Sequence, residues 1–275
     1  MANYYISPEA AFDATADAIR AKTGSQAPIE WTEDGFADAV ADIPSGGTDY
    51  FNLLLERTIT TVTLSQTTLT TPYTFSNQPN LTSVSAPNCT TITSSATYIF
   101  ENCPMLTNIN FPVLRDASAT ACFSKCGATV VVLPSIAYFG SNTFLRSSSL
   151  RILDCGLTNN TFSNKKLFGG NYALQHCYDL ETIIIRQTNR IAGLNNVHNL
   201  GKTRFYPDGQ SYPAGTKGTI YIPKVLYDHL GDGTSLDYKA ATNWSTIDAN
   251  GTVTWAKIED SYYETHYADG TLIPT

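Results

Sequence analysis

Leu81-Thr82-Ser83-Val84-Ser85-Ala86-Pro87 returns as Leu106-Thr107-Asn108-Ile109-Asn110-Phe111-Pro112, a shift of 25 at every position. Both copies read leucine, two polar residues, an apolar residue, a polar one, a second apolar one and proline. Weaker copies follow as Thr129-Val130-Val131-Val132-Leu133-Pro134, Leu150-Arg151-Ile152-Leu153-Asp154-Cys155 and Leu180-Glu181-Thr182-Ile183-Ile184-Ile185, with a last echo in Ile220-Tyr221-Ile222-Pro223. A second marker precedes these strands: Phe75, Phe100, Phe123 and Phe144, separated by 25, 23 and 21. A small polar cluster trails each phenylalanine, including Asn102-Cys103 and Lys125-Cys126. His176-Cys177 holds the same place before the Leu180 copy.

A unit of this length with one short alternating strand cannot bury its own apolar edge, so it must stack on its neighbours and share a continuous core. The expected fold is mainly an irregular β solenoid of stacked repeats over residues 60–225. In each coil the leucine and the two alternate apolar residues point inward, and proline closes the strand without costing a ladder bond. The phenylalanine fills the opposite side of the coil. Ser, Thr and Asn serve the turns.

Outward from the repeat, the first 44 residues read as a helical hairpin. Ser7-Pro8-Glu9 supplies a cap, a proline at the first helical position and an acid in the first turn. Phe12, Ala16 and Ile19 form one apolar face, and Lys22-Thr23-Gly24 closes that helix. Thr32 caps a second helix whose face is Phe36, Val40 and Ile43, ended by Pro44. Each helix is too short to stand alone in water, so these six residues must bury against something. The pair either caps the apolar end of the solenoid or forms a tethered docking and oligomerisation module. The flexible Ser45-Gly46-Gly47 within a 45–59 linker favours the tethered module. Residues 226–275 are expected to close the other end.

The chain has 275 residues, 42% hydrophobic and only 15% charged, with a net charge of −7. The missing charge is made up by Thr, Ser and Asn, which suits turns and short strands. No basic field exists to collect a nucleic acid backbone, and no apolar run is long enough to enter a membrane as a helix. The opening Met1-Ala2-Asn3-Tyr4-Tyr5-Ile6-Ser7-Pro8 has neither a basic nor an apolar region of the secretory kind, so synthesis in a cytosol without a signal peptide is expected. Six cysteines are too few for a disulfide scaffold of this size and read as buried thiols.

With phenylalanine, a Cys or Asn three residues later, the leucine, the two apolar strand residues and proline all in place, the repeat resembles the BspA-type leucine-rich repeat. That class stacks its strands into a gently curved parallel sheet and acts in adhesion and recognition. Ile220-Tyr221-Ile222-Pro223-Lys224-Val225-Leu226-Tyr227 followed by Tyr238-Lys239-Ala240-Ala241-Thr242-Asn243-Trp244-Ser245 is similar to the closing segment of the family, where a last coil runs into a short helix. The stretch from Ala18-Ile19-Arg20-Ala21-Lys22-Thr23-Gly24 through Ile43-Pro44 is similar to the openings of phage tail proteins that infect Gram-positive gut bacteria. Together these resemblances imply a virion protein of the tail or tail tip. Its amino-terminal module would dock to other tail proteins and its solenoid would bind a host-cell glycan or protein, as a homo-oligomer. A purely structural virion component and a bacterial surface adhesin are the alternatives.

No enzymatic motif stands out, and neither a cofactor nor a metal is expected. Cys122 and Cys126, with Cys103 and His176-Cys177, form no C-x-x-C pair. His176, His198, His229 and His266 fall in no nucleophile or zinc motif. Asp228, Asp232 and Asp237 surround Gly231 and Gly233 as a turn would, without an EF-hand spacing. The segment Tyr206-Pro207-Asp208-Gly209-Gln210-Ser211-Tyr212-Pro213 joins turn residues to two tyrosines. Rings beside an amide and a carboxylate can stack on and hydrogen-bond to a sugar, so Tyr206, Asp208, Gln210 and Tyr212 are the expected contact residues. Tyr262, Tyr263 and Tyr267 form a similar cluster.

Overall fold

The computed structural model describes residues 57–156, 167–186 and 194–258. The expected hairpin with Phe12, Ala16, Ile19, Phe36, Val40 and Ile43 lies outside the described residues, as do most of the 45–59 linker and Tyr262, Tyr263 and Tyr267.

The two clean copies form β3 (Ser83–Ser85) and β5 (Asn108–Asn110), which stack in parallel beside β1 (Thr61–Thr63). Val84 pairs with Val62 on one side and Ile109 on the other, so the 25-residue shift is one step of the ladder. Each central residue is buried while its two polar neighbours stay in contact with solvent, as strand alternation requires. Each coil then makes a second strand: β2 (Thr68–Leu69), β4 (Thr91–Ile92), β6 (Asp116–Ala117) and, after β7 (Val130–Leu133), β8 (Tyr138–Phe139). These four pair in order as another parallel sheet. The weaker copies give β9 (Ile152–Cys155), β10 (Thr182–Ile185) and β11 (Gly218–Pro223). They continue the first side from β7, and the ladder extends to β12 (Val253–Ile258), within the stretch expected to cap it. Between β11 and β12 the chain makes two short helices, α1 (Lys224–Tyr227) and α2 (Trp244–Ala249). No helix among the described residues is long and apolar enough to cross a membrane.

The third side of each coil has no strand, yet its backbone is fully engaged. Tyr98, Phe100 and Asn102 donate their N–H groups to Thr120, Cys122 and Ser124 of the next coil at 2.8–3.0 Å. Ala121, Phe123 and Lys125 donate in turn to Ser141, Thr143 and Leu145. This direction is reached by placing the first and last residue of each trio in the left-handed region. Tyr73 and Asn77, Tyr98 and Asn102, Ala121 and Lys125, Asn142 and Arg146, Tyr172 and His176 all have φ between 56° and 63°. None is glycine, so each costs about 1 kcal/mol, offset at every one but Tyr172 by an N–H donated to the next coil.

The marker phenylalanines fill the core behind this side. Phe75, Phe100 and Phe123 stack nearly parallel with centroids 5.4 Å apart, and Phe144 continues the column at 5.6 Å. Phe111 sits edge-on to Phe100 and Phe123. Phe168 stacks on Phe139 at 5.6 Å, and the Phe139 N–H donates to the Leu167 carbonyl. Leu167 onward is therefore coil.

The six cysteines are buried and free. Three occupy one position in successive coils, three residues after the core residue of the third side. The Cys103 thiol donates to the Phe75 carbonyl at 3.1 Å, Cys126 to Phe100 at 3.3 Å and Cys177 to Phe144 at 3.1 Å. In the coil between, the Ser147 hydroxyl does the same to Phe123 at 3.0 Å. Burial pushes the Cys103 thiol up to about 11 and Cys122 to about 12, which keeps both protonated near neutrality.

On the outward face of the strand ladder, the polar row of β1, β3 and β5 gives way to an apolar cluster. Ile152, Ile184 and Ile258 are buried there, beside Val130 and Tyr221. Among them lies Asp154, fully buried and held by Arg186, whose Nε and Nη2 each donate to a carboxylate oxygen at 2.6 Å. Burial outweighs this pair, so the Asp154 carboxyl sits above the usual range.

Candidate functional site

The segment from Tyr206 to Pro213 folds as a turn over the third side. Asp208 and Gly209 both take positive φ, 47° and 79°, and the Gln210 N–H donates to the Pro207 carbonyl at 2.8 Å. Two consecutive positive φ values define the mirror-image turn that Asp-Gly favours. Gln210 stands exposed at its end.

Tyr212 points back. Its hydroxyl lies 2.9 Å from the Lys202 carbonyl and 3.1 Å from that of Tyr178, a donor shared between two coil backbones. Burial pushes that phenol up to about 12. Tyr212 thus anchors the loop to the coils through its hydroxyl.

Tyr206 and Asp208 converge on His198, which follows the Asn196 cap of a short 3-10 turn, Val197–Leu200. The His198 and Tyr206 rings meet edge to face at 5.7 Å, and His198 Nδ1 lies 3.3 Å from Asp208 Oδ2. On the other side of His198 is Tyr172, at 6.5 Å between ring centroids. His176 Nδ1 is 2.7 Å from the Tyr178 hydroxyl, the two rings perpendicular. Tyr172 and Tyr178 are 40% and 37% exposed, whereas the described phenylalanines are all buried. The result is a patch of three tyrosines and two histidines drawn from three parts of the chain, with the Tyr212 bond holding the loop against the coils.

Sequence reasoning found the loop and missed Tyr172, His176, Tyr178 and His198. The signal was present for two of them: His176 occupies the position of Asn77, Asn102, Lys125 and Arg146, and Tyr172 that of Tyr73 and Tyr98, visible once the coils are aligned. Tyr178 and His198 sit where the repeat has degenerated.

Elsewhere the acids of the expected turn are taken up locally. Both Asp237 carboxylate oxygens accept backbone N–H groups, from Gly233 at 3.1 Å and Lys239 at 2.8 Å. Asp232 accepts from Thr234 and faces His229 at 2.6 Å. Among the described residues no three His, Cys, Asp or Glu side chains gather as a metal site would require. A shallow depression of about 470 Å³ lies by α2 and β12, lined by Lys217, Tyr227, Lys239, Asp248 and Trp255. Its carboxylate is engaged by the Trp255 Nε1–H at 2.7 Å.

The stacked parallel coils, the phenylalanine column and the small donor that closes each coil together form a repeat framework of irregular coil length. Residues 68–196 match the BspA type leucine rich repeat region, in six copies. No curated protein and no solved structure matches the chain. The matched BspA-type repeats end just before the 3-10 turn that carries His198, so the patch straddles the boundary between regular coils and the loop added to them. Tyr172, His176 and Tyr178 come from the repeats, and His198, Tyr206 and Asp208 come from beyond. BspA-type repeats point to surface adhesion or binding as the general activity.

Proposed function

We propose that the protein is a non-enzymatic recognition protein of a phage tail or tail tip, whose repeat surface binds a glycan or protein on the host cell. The observation that carries the recognition reading is the patch of Tyr172, Tyr178 and Tyr206 with His198 and Asp208. Exposed rings offer apolar faces to stack on a sugar ring or an apolar side chain. The imidazole and carboxylate beside them offer hydrogen bonds that fix orientation. A preformed patch loses little freedom on binding, which matters for a weak contact. On a particle carrying several copies, weak contacts add through effective concentration into tight attachment. The particle assignment rests on the resemblance of residues 18–44 to tail-protein openings.

Recognition is tested by binding of the full chain to purified host envelope, compared with Tyr172→Ala and Tyr206→Ala. Each substitution is expected to weaken binding about fivefold or more with the fold intact, whereas unchanged binding in both would remove the patch from the reading. Mass spectrometry of purified particles tests the assignment, and absence of the chain from them would sink the virion reading.

A further inference from the structure

The hydrogen bonds of the third side bring a set of cations into one line. The Lys125 N–H donates to Leu145, the residue before Arg146. Arg146 donates to Gln175, before His176, and His176 donates to Gly201, before Lys202. These four residues therefore stand at one position in four successive coils, all left-handed with φ of 57°, 59°, 63° and 59°. Earlier in the stack the same position holds Asn77 and Asn102, whose Nδ2 donates a hydrogen bond to the Asn77 Oδ1 at 2.8 Å, so the column changes from amide to cation along its length. Adjacent coils are about 4.8 Å apart, which spreads Arg146, His176 and Lys202 over about 10 Å.

Charges of one sign at that spacing repel, and a folded chain normally breaks them up with acids. Here only Lys125 is so answered, by Glu101 at 2.9 Å. Neither Arg146 nor Lys202 has a carboxylate within ion-pair distance among the described residues. His176 shares its Nδ1 with the Tyr178 hydroxyl, and Asp208, paired to His198, is the acid on its far side. Burial and the neighbouring Lys202 and Arg146 hold His176 below its ordinary range, as a group inside an uncompensated positive field would be. In a chain of net charge −7 this is a local reversal of sign. The exposed Tyr172 and Tyr178 belong to the same coil as His176, one on each side of it in sequence.

We infer that the patch takes an acidic polysaccharide, its carboxylate or phosphate groups meeting the Arg146–His176–Lys202 column while sugar rings lie on Tyr172 and Tyr178. This inference rests on the recognition reading above and narrows its ligand to a regularly charged polymer. A polymer fits better than a single anion, because Arg146 and Lys202 stand two coil steps apart with the His176 imidazole between them and do not converge on one point.

The test uses the full chain against three immobilised polymers: polygalacturonate, which carries carboxylates, poly(glycerol phosphate), which carries phosphodiesters, and uncharged dextran. Binding to one or both acidic polymers is expected, falling steeply between 0.05 and 1 M salt as screening shortens from about 14 Å to about 3 Å. The tighter of the two identifies the charged group. Arg146→Gln and Lys202→Gln should each weaken binding about two- to fivefold and the pair about tenfold, as exposed ion pairs do. Arg146→Lys should restore most of the loss, and Lys224→Gln, a cation remote in sequence on α1, should change nothing. Equal, salt-insensitive binding to dextran would overturn the charge inference and leave the recognition reading standing. An equal loss in Lys224→Gln would overturn it as nonspecific attraction. Failure to bind any of the three, with host envelope still bound, would overturn it too. Failure to bind envelope as well would remove both.

Discussion

Cys126 and Ser147 occupy the same position in adjacent coils and make the same bond, a side-chain donor to the carbonyl of the phenylalanine one coil back. The requirement is for a small donor, met equally by a thiol and a hydroxyl. Cys126→Ser should therefore cost less than about 1 kcal/mol, whereas Cys126→Ala, matched to serine in bulk but unable to donate, orphans a buried carbonyl and should cost about 1–3 kcal/mol. Urea denaturation of the two variants measures the difference, and equal losses would show that packing alone decides the position. Asp154 and Arg186 pose the opposite case, a charged pair among Ile152, Ile184 and Ile258. Arg186→Met strands a buried carboxylate and should cost about 3–5 kcal/mol at neutral pH. The Asp154 carboxyl already lies above its ordinary value because of burial, and losing the guanidinium moves it further the same way. A group raised on folding adds stability that is fully present below its unfolded value of 3.8 and is lost as pH rises through the folded value. The variant should thus regain part of its deficit on acidification, relative to the parent at each pH. Parallel pH–stability curves for the two proteins would contradict this.

At the scale of the element, the repeated strand and the phenylalanine column were legible because each depends on residue type. Leu81, Val84 and Ala86, or Leu106, Ile109 and Phe111, announce an inward face wherever they recur. The second strands were not legible. Each holds two residues and sends one inward, and that one is Leu69, Ile92, Ala117 or Phe139, so neither alternation nor a fixed type survives to be seen. The left-handed corners were hidden for a related reason. Glycine is the usual signal for positive φ, and here the positions hold Tyr, Asn, Ala, Lys, Arg and His, because inter-coil hydrogen bonds impose the conformation. The site was half legible: the Tyr206–Tyr212 turn stands out as a turn, but the cations it joins become a column only through those same corners. Where glycine does appear between coils, its role is closeness. A Cβ on Gly170 would sit 2.1 Å from the Gly140 carbonyl carbon and from the Ser141 nitrogen, both backbone. Gly170→Ala must push two coils apart where Phe139 and Phe168 stack, so a loss of about 3 kcal/mol is expected. A thermal melt reads it directly, and an unshifted midpoint would mean the coils slide freely.

At the scale of the whole molecule, parallel stacking makes each coil a neighbour of two others and of nothing further along the ladder, so stability is a sum over coils and interfaces. Residues 106–128 make one such coil, from the leucine that opens β5 to the residue before the Thr129 copy. Removing them joins Met105 to Thr129 at equivalent points of the repeat. Strand β3 then meets β7, β4 meets β8, and Phe100 takes the place of Phe123 beneath Phe144. On the third side each backbone donor that loses a partner gains its equivalent, and the Phe100 carbonyl passes from the Cys126 thiol to the Ser147 hydroxyl; on the first side the Ser83 and Ser85 hydroxyls lose the Asn108 and Asn110 amides. The shortened chain should fold with unchanged far-UV ellipticity per residue and a transition weaker by one coil and one interface, a few kcal/mol. It should also keep its binding, since Arg146, His176, Lys202 and the three tyrosines all lie beyond the deletion. A compact fold with long-range packing of the ordinary kind would not survive this cut, so loss of cooperative unfolding in the shortened chain would refute the additive stack. Loss of binding with folding preserved would instead show that Lys125, the one residue of the cation column removed, or the length of the column itself, is needed by the ligand.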